Sequence, residues 1–399
     1  MAIGTSGSDA TMVTSPVSWY YNSTVRSYFF QLLVALAVAG GLFYIISNTL
    51  HNMHTRGIAS GFDFLSHRAG FGIIQTLIPY DESYSYGRTF LVGLMNTLLV
   101  SGMGVILATG LGFMLGVARL SKNWLVSRVA TLYVEVFRNI PLLLQIFFWY
   151  FAVLRTLPSP RQSLSWGEAL FLNIRGLYLP APVLKEGVGY VLFSLLLALL
   201  ACGWLLRRAR QQQMATGKRW PVGKIAIALI LVLPGVTFLM AGQPIGLDMP
   251  QLKGFNFKGG MTIIPELAAL LIALTIYTAA FIAEIVRSGI NAVNKGQSEA
   301  ADALSLNRGQ TLRLVVIPQA LRVIIPPLTS QYLNLIKNSS LATAIGYPDL
   351  VSVFMGTTLN QTGQAIEVTA MTMAVYLVIS ITTSFLMNSY NRKMALVER

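Results

Sequence analysis

The chain has 399 residues, 54% of them hydrophobic and only 11% charged, with a mean hydropathy of +0.61. A soluble domain carries about 25% charged residues, so this composition excludes a water-soluble globular fold and requires segments that cross a bilayer. The net charge of +14 does not argue for nucleic-acid binding, because the basic residues sort to one side of the membrane in the topology derived below.

Eight apolar runs reach the length needed to span, about 20 residues each. They cover 29–49, 90–117, 129–153, 187–206, 222–241, 262–286, 323–344 and 369–390. The expected fold is an all-α polytopic membrane protein of about eight transmembrane helices. The first run follows a polar tail, residues 1–28, and is too long for the apolar part of a cleaved signal peptide. Residues 50–89 then form an outer loop whose Gly57, Gly61, Phe62 and Phe64 suit packing at the membrane surface. His51, His54 and His67 fall there. His51 and His54 can share a helix face, but a metal ion needs more ligands, and no metal site is expected. The single cysteine, Cys202, lies in a span and allows no disulfide framework.

The third run carries Glu135, Arg138 and Gln145 at membrane depth, with Pro141 expected to bend its helix near Gln145. An outer loop with Pro158, Pro160, Pro180 and Pro182 leads to a helical hairpin, 187–241, turned by the basic run Arg207-Arg208-Ala209-Arg210. No acidic or basic side chain lies between Gly189 and Trp204, so these two helices are expected to face lipid at the periphery.

The sixth run adds Glu266 and Glu284. Glu135 with Arg138, and Glu284 with Arg287, stand three residues apart on one helix face and are expected to pair. Two readings stand side by side: arginines snorkelling beside a local carboxylate, or a charged cluster at the inner mouth of a pathway.

Between the sixth and seventh runs, Glu299 to Leu304 suits a short helix with its acids near the N-terminus. Asn307-Arg308-Gly309 reads as a turn, and Thr311 to Val316 as a second helix ended by Pro318. The seventh run holds Pro326-Pro327, where a kink or break is expected, and then Lys337-Asn338-Ser339-Ser340. Lys337 lies roughly 22 Å along the helix from Arg322. A lysine at that depth either takes a substrate carboxylate or pairs with Glu266.

With the N-terminus in the cytoplasm and spans alternating, 18 Lys and Arg fall inside and 9 outside. The positive-inside rule therefore places both termini in the cytoplasm. The chain divides into 1–89 (tail, first span, outer loop), 90–154 (first part of a core), 155–261 (outer loop and inserted hairpin), 262–390 (second part of the core) and a tail, 391–399.

Glu299-Ala300-Ala301, followed by Ile317-Pro318-Gln319-Ala320-Leu321-Arg322 and Pro326-Pro327-Leu328, resembles the "EAA" coupling loop of permease subunits of bacterial ABC importers. Phe137-Arg138-Asn139-Ile140-Pro141-Leu142-Leu143-Leu144-Gln145 and Lys337-Asn338-Ser339-Ser340-Leu341-Ala342 resemble the polar amino-acid branch. The long first outer loop and inserted hairpin are similar to the larger permease of general L-amino-acid or glutamate/glutamine/aspartate importers.

The resemblance implies a type I permease core of five helices, plus an N-terminal helix and the hairpin, in the bacterial inner membrane. It implies a coupling element at Glu299, Ala300, Ala301, Ser305, Leu306 and Pro318. Independently of the resemblance, Glu135, Arg138, Gln145, Glu284, Lys337, Asn338, Ser339 and Ser340, polar groups at membrane depth, are the candidates for the translocation pathway. The implied partners are a second homologous permease, two cytoplasmic ATPase subunits that hold ATP and Mg, and a periplasmic amino-acid-binding protein. The family usually has Gly where this chain has Ser305, so either the turn moves towards Asn307 and Gly309 or the docking surface is altered.

No Gly-x-x-x-x-Gly-Lys-Ser/Thr run occurs in the chain, so no cofactor is expected here and ATP hydrolysis belongs to another subunit. Two rival readings are an ion-gradient-driven secondary transporter using Glu135, Glu284 or Lys337 as a relay, and a structural membrane scaffold.

Overall fold

A computed structural model describes residues 23–55, 57, 60–217 and 220–394. Most of the N-terminal tail, the last five residues, and Arg56, Ile58, Ala59, Lys218 and Arg219 lie outside the described residues. Helix α1 (Ser23–Thr55) keeps nearly all its apolar side chains exposed, as a lipid-facing helix must. The loop that follows is packed: Phe64 is 3% exposed and joins Tyr86, Leu350, Phe354 and Val368 in one apolar cluster.

Helix α2 (Tyr86–Arg119) and helix α7 (Pro265–Asn291) form the centre. Their approach depends on small residues on α2, Gly112 and Gly116, while Gly104 in the same stripe faces Leu335 instead. A Cβ at Gly112 would stand 2.6 Å from Ile282 Cβ, and one at Gly116 2.6 Å from Val286 Cβ. Within a bilayer such close backbone contact replaces the hydrophobic effect as the source of helix association. Glycine elsewhere on α2, at Gly102 and Gly110, faces open space.

The third apolar run is not one helix. Helix α3 (Trp124–Asn139) and helix α4 (Leu142–Phe147, continued in tighter and wider turns to Thr156) meet at 105°. The bend falls at Ile140-Pro141, before Gln145 rather than at it. Pro141 removes a backbone donor, and Gln145 Nε2 fills the gap by donating to the carbonyls of Phe137 and Ile140, each at 3.0 Å. Among the described residues, seven helices are long and apolar enough to cross a bilayer, or eight with the bent pair counted as one span.

The following segment holds short strands that alternation did not reveal. β1 (Leu164–Trp166), β2 (Leu170–Asn173), β3 (Gly176–Leu179) and a late strand, β8 (Met261–Ile263), make one antiparallel sheet in that order. β4 (Ala181–Leu184) pairs with β5 (Ile245–Asp248), and β6 (Gln251–Lys253) with β7 (Asn256–Lys258). Three- and four-residue strands are too short to show a period of two. The hairpin between them, α5 (Val188–Thr216) and α6 (Val222–Met240), packs on itself; α6 has no buried residue.

Two short helices follow α7: α8 (Lys295–Ala303) and α9 (Arg308–Thr311). A π-helical stretch, Leu312–Val316, joins α9 directly to α10 (Ile317–Asn338). Pro318 therefore ends nothing; it lies in the first turn of α10, where a missing N–H is tolerated. Nor does Pro326-Pro327 break α10. Regular α-helix stops only at Asn338, where Ser339–Ile345 tightens to 3-10 turns. Asp349, 1% exposed, caps the next helical stretch by accepting from Ser352 N at 2.8 Å. A further turn, α11 (Leu359–Thr362), precedes the last helix, α12 (Ala365–Met394), which runs past the expected end of its span at 390.

Candidate functional site

The turn between α8 and α9 is the most sharply defined feature of the polar segment. Ser305 N donates to Asp302 O at 2.9 Å, and Leu306 N to Ala301 O at 3.1 Å. Those two bonds, with a left-handed residue between them, form a Schellman cap on α8. The left-handed residue is Ser305, at φ 56°. The turn has therefore not shifted to Asn307 and Gly309; serine adopts the conformation at which glycine is usual, at a penalty of roughly 1 kcal/mol. Asn307 instead caps α9: its Oδ1 accepts from Gln310 N, and Gln310 Oε1 accepts from Asn307 N, both at 3.0 Å.

Asn294 starts α8 in a related way, accepting from Gly296 N at 2.9 Å. Glu299 thus lies mid-helix and Asp302 near the C-terminus, so neither carboxylate sits where the expected dipole support would act. Along α8, Glu299 and Ala300 are exposed while Ala301 is buried; Ser305 is exposed, and Leu306 and Pro318 are half-buried. Leu304 projects at 76% exposure. Gln319 Nε2 donates to Gln297 Oε1 at 3.1 Å, tying α8 to the start of α10. The unit is thus anchored on one side and offers Glu299, Ala300, Leu304 and Ser305 on the other.

A second group lies where α2, α3 and α7 meet. Arg119 and Arg287 both pair with Glu284, so the Glu284–Arg287 pair expected from spacing forms and gains a partner from another helix. Glu135 and Arg138 do not pair with each other. Arg138 places its guanidinium 5.1 Å from the Phe281 ring centre, and among the described residues both ion pairs involve Glu284. Arg119, Glu135, Arg138 and Glu284 nevertheless line one cavity of ≈ 400 Å³. Spacing within a helix revealed one of these pairs and could not reveal Arg119, whose relation to Glu284 spans 165 positions.

The third group surrounds the end of α10. Lys337 is exposed and has no carboxylate partner; Glu266 accepts instead from Tyr150 Oη at 2.8 Å. Lys337 and Ser340 line a cavity of ≈ 350 Å³ with Val351, Met355, Thr372, Met373 and Tyr376. Lys337 is the one charged side chain of that lining. Asn338 is half-buried, and Ser339 and Ser340 return their hydroxyls to the carbonyls of Ile336 and Lys337. Gln145 is 4% exposed and committed to the α3–α4 bend. Tyr376 and Met373, on the last helix, had no sequence signal beyond an apolar run.

Among the described residues, no three His, Cys, Asp or Glu side chains are placed to hold a metal ion.

Residues 220–396 match the family described as "Binding-protein-dependent transport system inner membrane component". Three curated relatives extend the likeness over nearly the whole chain. The chain is 56% identical over 383 residues to the putative amino-acid ABC transporter permease protein YhdX of Escherichia coli (strain K12), covering 95% of this chain and 97% of that one. It is 51% identical to the general L-amino acid transport system permease protein AapQ of Rhizobium johnstonii, with 95% and 94% covered. It is 44% identical to the glutamate/glutamine/aspartate/asparagine transport system permease protein BztB of Rhodobacter capsulatus, with 95% and 96% covered.

Proposed function

The chain belongs to the inner-membrane permease components of binding-protein-dependent ABC importers, and we propose that within such an importer it moves L-amino acids through a core driven by its α8–turn–α9 unit. It is a multi-pass inner-membrane permease subunit and not itself an ATPase. The ion-gradient alternative draws no support from this membership. The amino-acid cargo rests on what the relatives are named for.

One observation carries the mechanical part. Helix continues without interruption from Arg308, beside the docking turn, to Asn338, beside the Lys337 cavity. At 1.5 Å per residue that is a rod of about 45 Å. A push on α8, which Gln297–Gln319 ties to the same rod, is transmitted to the far end because a helix is stiff along its axis. The partner that pushes is a cytoplasmic ATPase holding Mg-ATP, presenting a groove for Glu299, Ala300, Leu304 and Ser305. A second permease completes the pathway, and a periplasmic binding protein loads it.

In this scheme Lys337 and Ser340, which line the cavity, receive the carboxylate of the cargo, and Asn338 and Ser339 hold the turn at the end of α10 that positions them. Glu135, Arg138 and Glu284 belong to the cytoplasmic mouth, which Arg119 closes by holding Glu284. Gln145 keeps the α3–α4 bend that shapes that mouth. Both termini lie in the cytoplasm, and 90–154 with 262–390 form the core around which 1–89, 155–261 and 391–399 are accessory.

The test is co-purification and uptake with Glu299→Lys. The expected result is loss of the ATPase from the purified complex and loss of ATP-driven uptake, with normal amounts of permease in the membrane. ATPase retained at normal yield contradicts the docking assignment.

A further inference from the structure

At the end of the molecule that carries the strands, a cavity of ≈ 410 Å³ opens between the β layer and the start of α7. Its size falls in the range of small-molecule sites, and it is separate from the Lys337 and Glu284 cavities. One wall comes from the core. Glu266, in the first turn of α7, accepts from Tyr150 Oη at 2.8 Å. Arg155 lies with its guanidinium 5.8 Å from the centre of the same Tyr150 ring. The facing wall comes from the β2–β3 turn and strand β3, which supply Arg175 and Tyr178.

That second wall is pre-organised. Asn173, fully buried, accepts from Arg175 N at 2.8 Å and so fixes the turn. Tyr178 donates to Asn256 Oδ1 at 2.9 Å, and burial pushes its phenol above the usual range, keeping it a neutral donor. The two guanidiniums, by contrast, have no carboxylate. Both ion pairs among the described residues involve Glu284, far along the chain. Glu266 has one oxygen engaged, by Tyr150. The cavity thus offers two guanidiniums without a carboxylate partner, the side chains best shaped for carboxylates, and one carboxylate with spare acceptor capacity.

We propose that this cavity is a binding subsite for an α-amino acid with an acidic side chain, its two carboxylates paired with Arg155 and Arg175 and its ammonium group with Glu266. The proposal rests on reading the chain as an amino-acid permease and adds a place, and a charge preference, ahead of the Lys337 cavity. A neutral amino acid leaves one guanidinium unpaired, and a basic one sets like charges together; both are disfavoured by the same groups that attract the acidic one.

The test uses the assembled transporter in lipid nanodiscs without the binding protein, and tritiated L-glutamate as probe. Saturable binding is expected, competed by L-aspartate and not by L-lysine. It falls at least tenfold in Arg155→Gln and in Arg175→Gln. Arg175→Gln keeps the fold testable, because Asn173 holds that turn through the backbone. Absence of saturable binding in the unaltered complex, or unaltered binding in Arg175→Gln, overturns the proposal. ATP-driven uptake is measured on the same preparations: uptake that persists without glutamate binding removes the subsite and leaves the permease reading standing, whereas binding that persists without uptake does the reverse.

Discussion

Arg119, in the last turn of α2, reaches across to Glu284 on α7 and meets a carboxylate that already accepts from Arg287 one turn further on. One acid is thus shared by two bases from two helices. The Arg119 side chain is 12% exposed and that of Glu284 26%. Removing one partner of a fully buried pair costs about 3–5 kcal/mol; partial exposure lowers that here to about 2 kcal/mol. Glu284→Leu and Arg119→Met are each expected to lower the melting temperature of the purified protein. The double variant is expected to lose less than the sum, with a coupling of about 1–2 kcal/mol. Strict additivity contradicts a direct link between α2 and α7.

Ser305 holds a left-handed conformation inside a Schellman cap. Ser305→Gly is expected to stabilise the turn by about 1 kcal/mol, and Ser305→Val to weaken it by more, since a β-branched residue tolerates positive φ worst. Hydrogen exchange at the Leu306 amide, which donates to Ala301 O, reads this directly: slower in the glycine variant, faster in the valine variant.

Asn307 is the cap of α9 and half of a reciprocal pair with Gln310. Asn307→Ala is expected to cost about 1 kcal/mol and to loosen the junction between α9 and the long helix. Amide exchange of Gln310 should accelerate while that of α7 stays unchanged.

The α2–α7 contact gives a paired test. Gly116→Ala brings a methyl group within 2.6 Å of Val286 Cβ and within 2.8 Å of Ala283 O. Overpacking of this kind costs about 1–3 kcal/mol, so membrane yield and melting temperature should fall. Gly110→Ala, on the same helix with open space around it, should be neutral or stabilising by up to about 1 kcal/mol. Equal effects of the two variants would contradict the packing account.

Hydropathy disclosed the spans because a bilayer imposes a length on each of them. It located the third run, and Pro141 announced a bend there but not its 105° angle, because a proline permits a break without setting its size. Conversely, Pro326-Pro327 leaves α10 unbroken. The two short helices after α7 were legible in outline, yet the first begins four residues before the expected Glu299 and the turn falls at Ser305, two residues before the expected Asn307. Asn307-Arg308-Gly309 has the composition of a turn, but asparagine serves equally as a helix cap, and only Ser305's conformation decides between them. Glu284–Arg287 was visible as a local spacing. Arg119, Tyr376 and the Arg155–Tyr150–Glu266 cluster were not, since they are brought together by tertiary packing alone.

The central claim is that the α8–α9 turn is where a separate ATPase grips the permease. Leu304, 76% exposed at the apex, suits replacement by a photoreactive amino acid in membranes that also contain the ATPase. Irradiation is expected to join position 304 to the ATPase subunit, with a yield that changes when ATP is added. A cross-link to lipid alone, or one to the ATPase that is indifferent to ATP, contradicts the account.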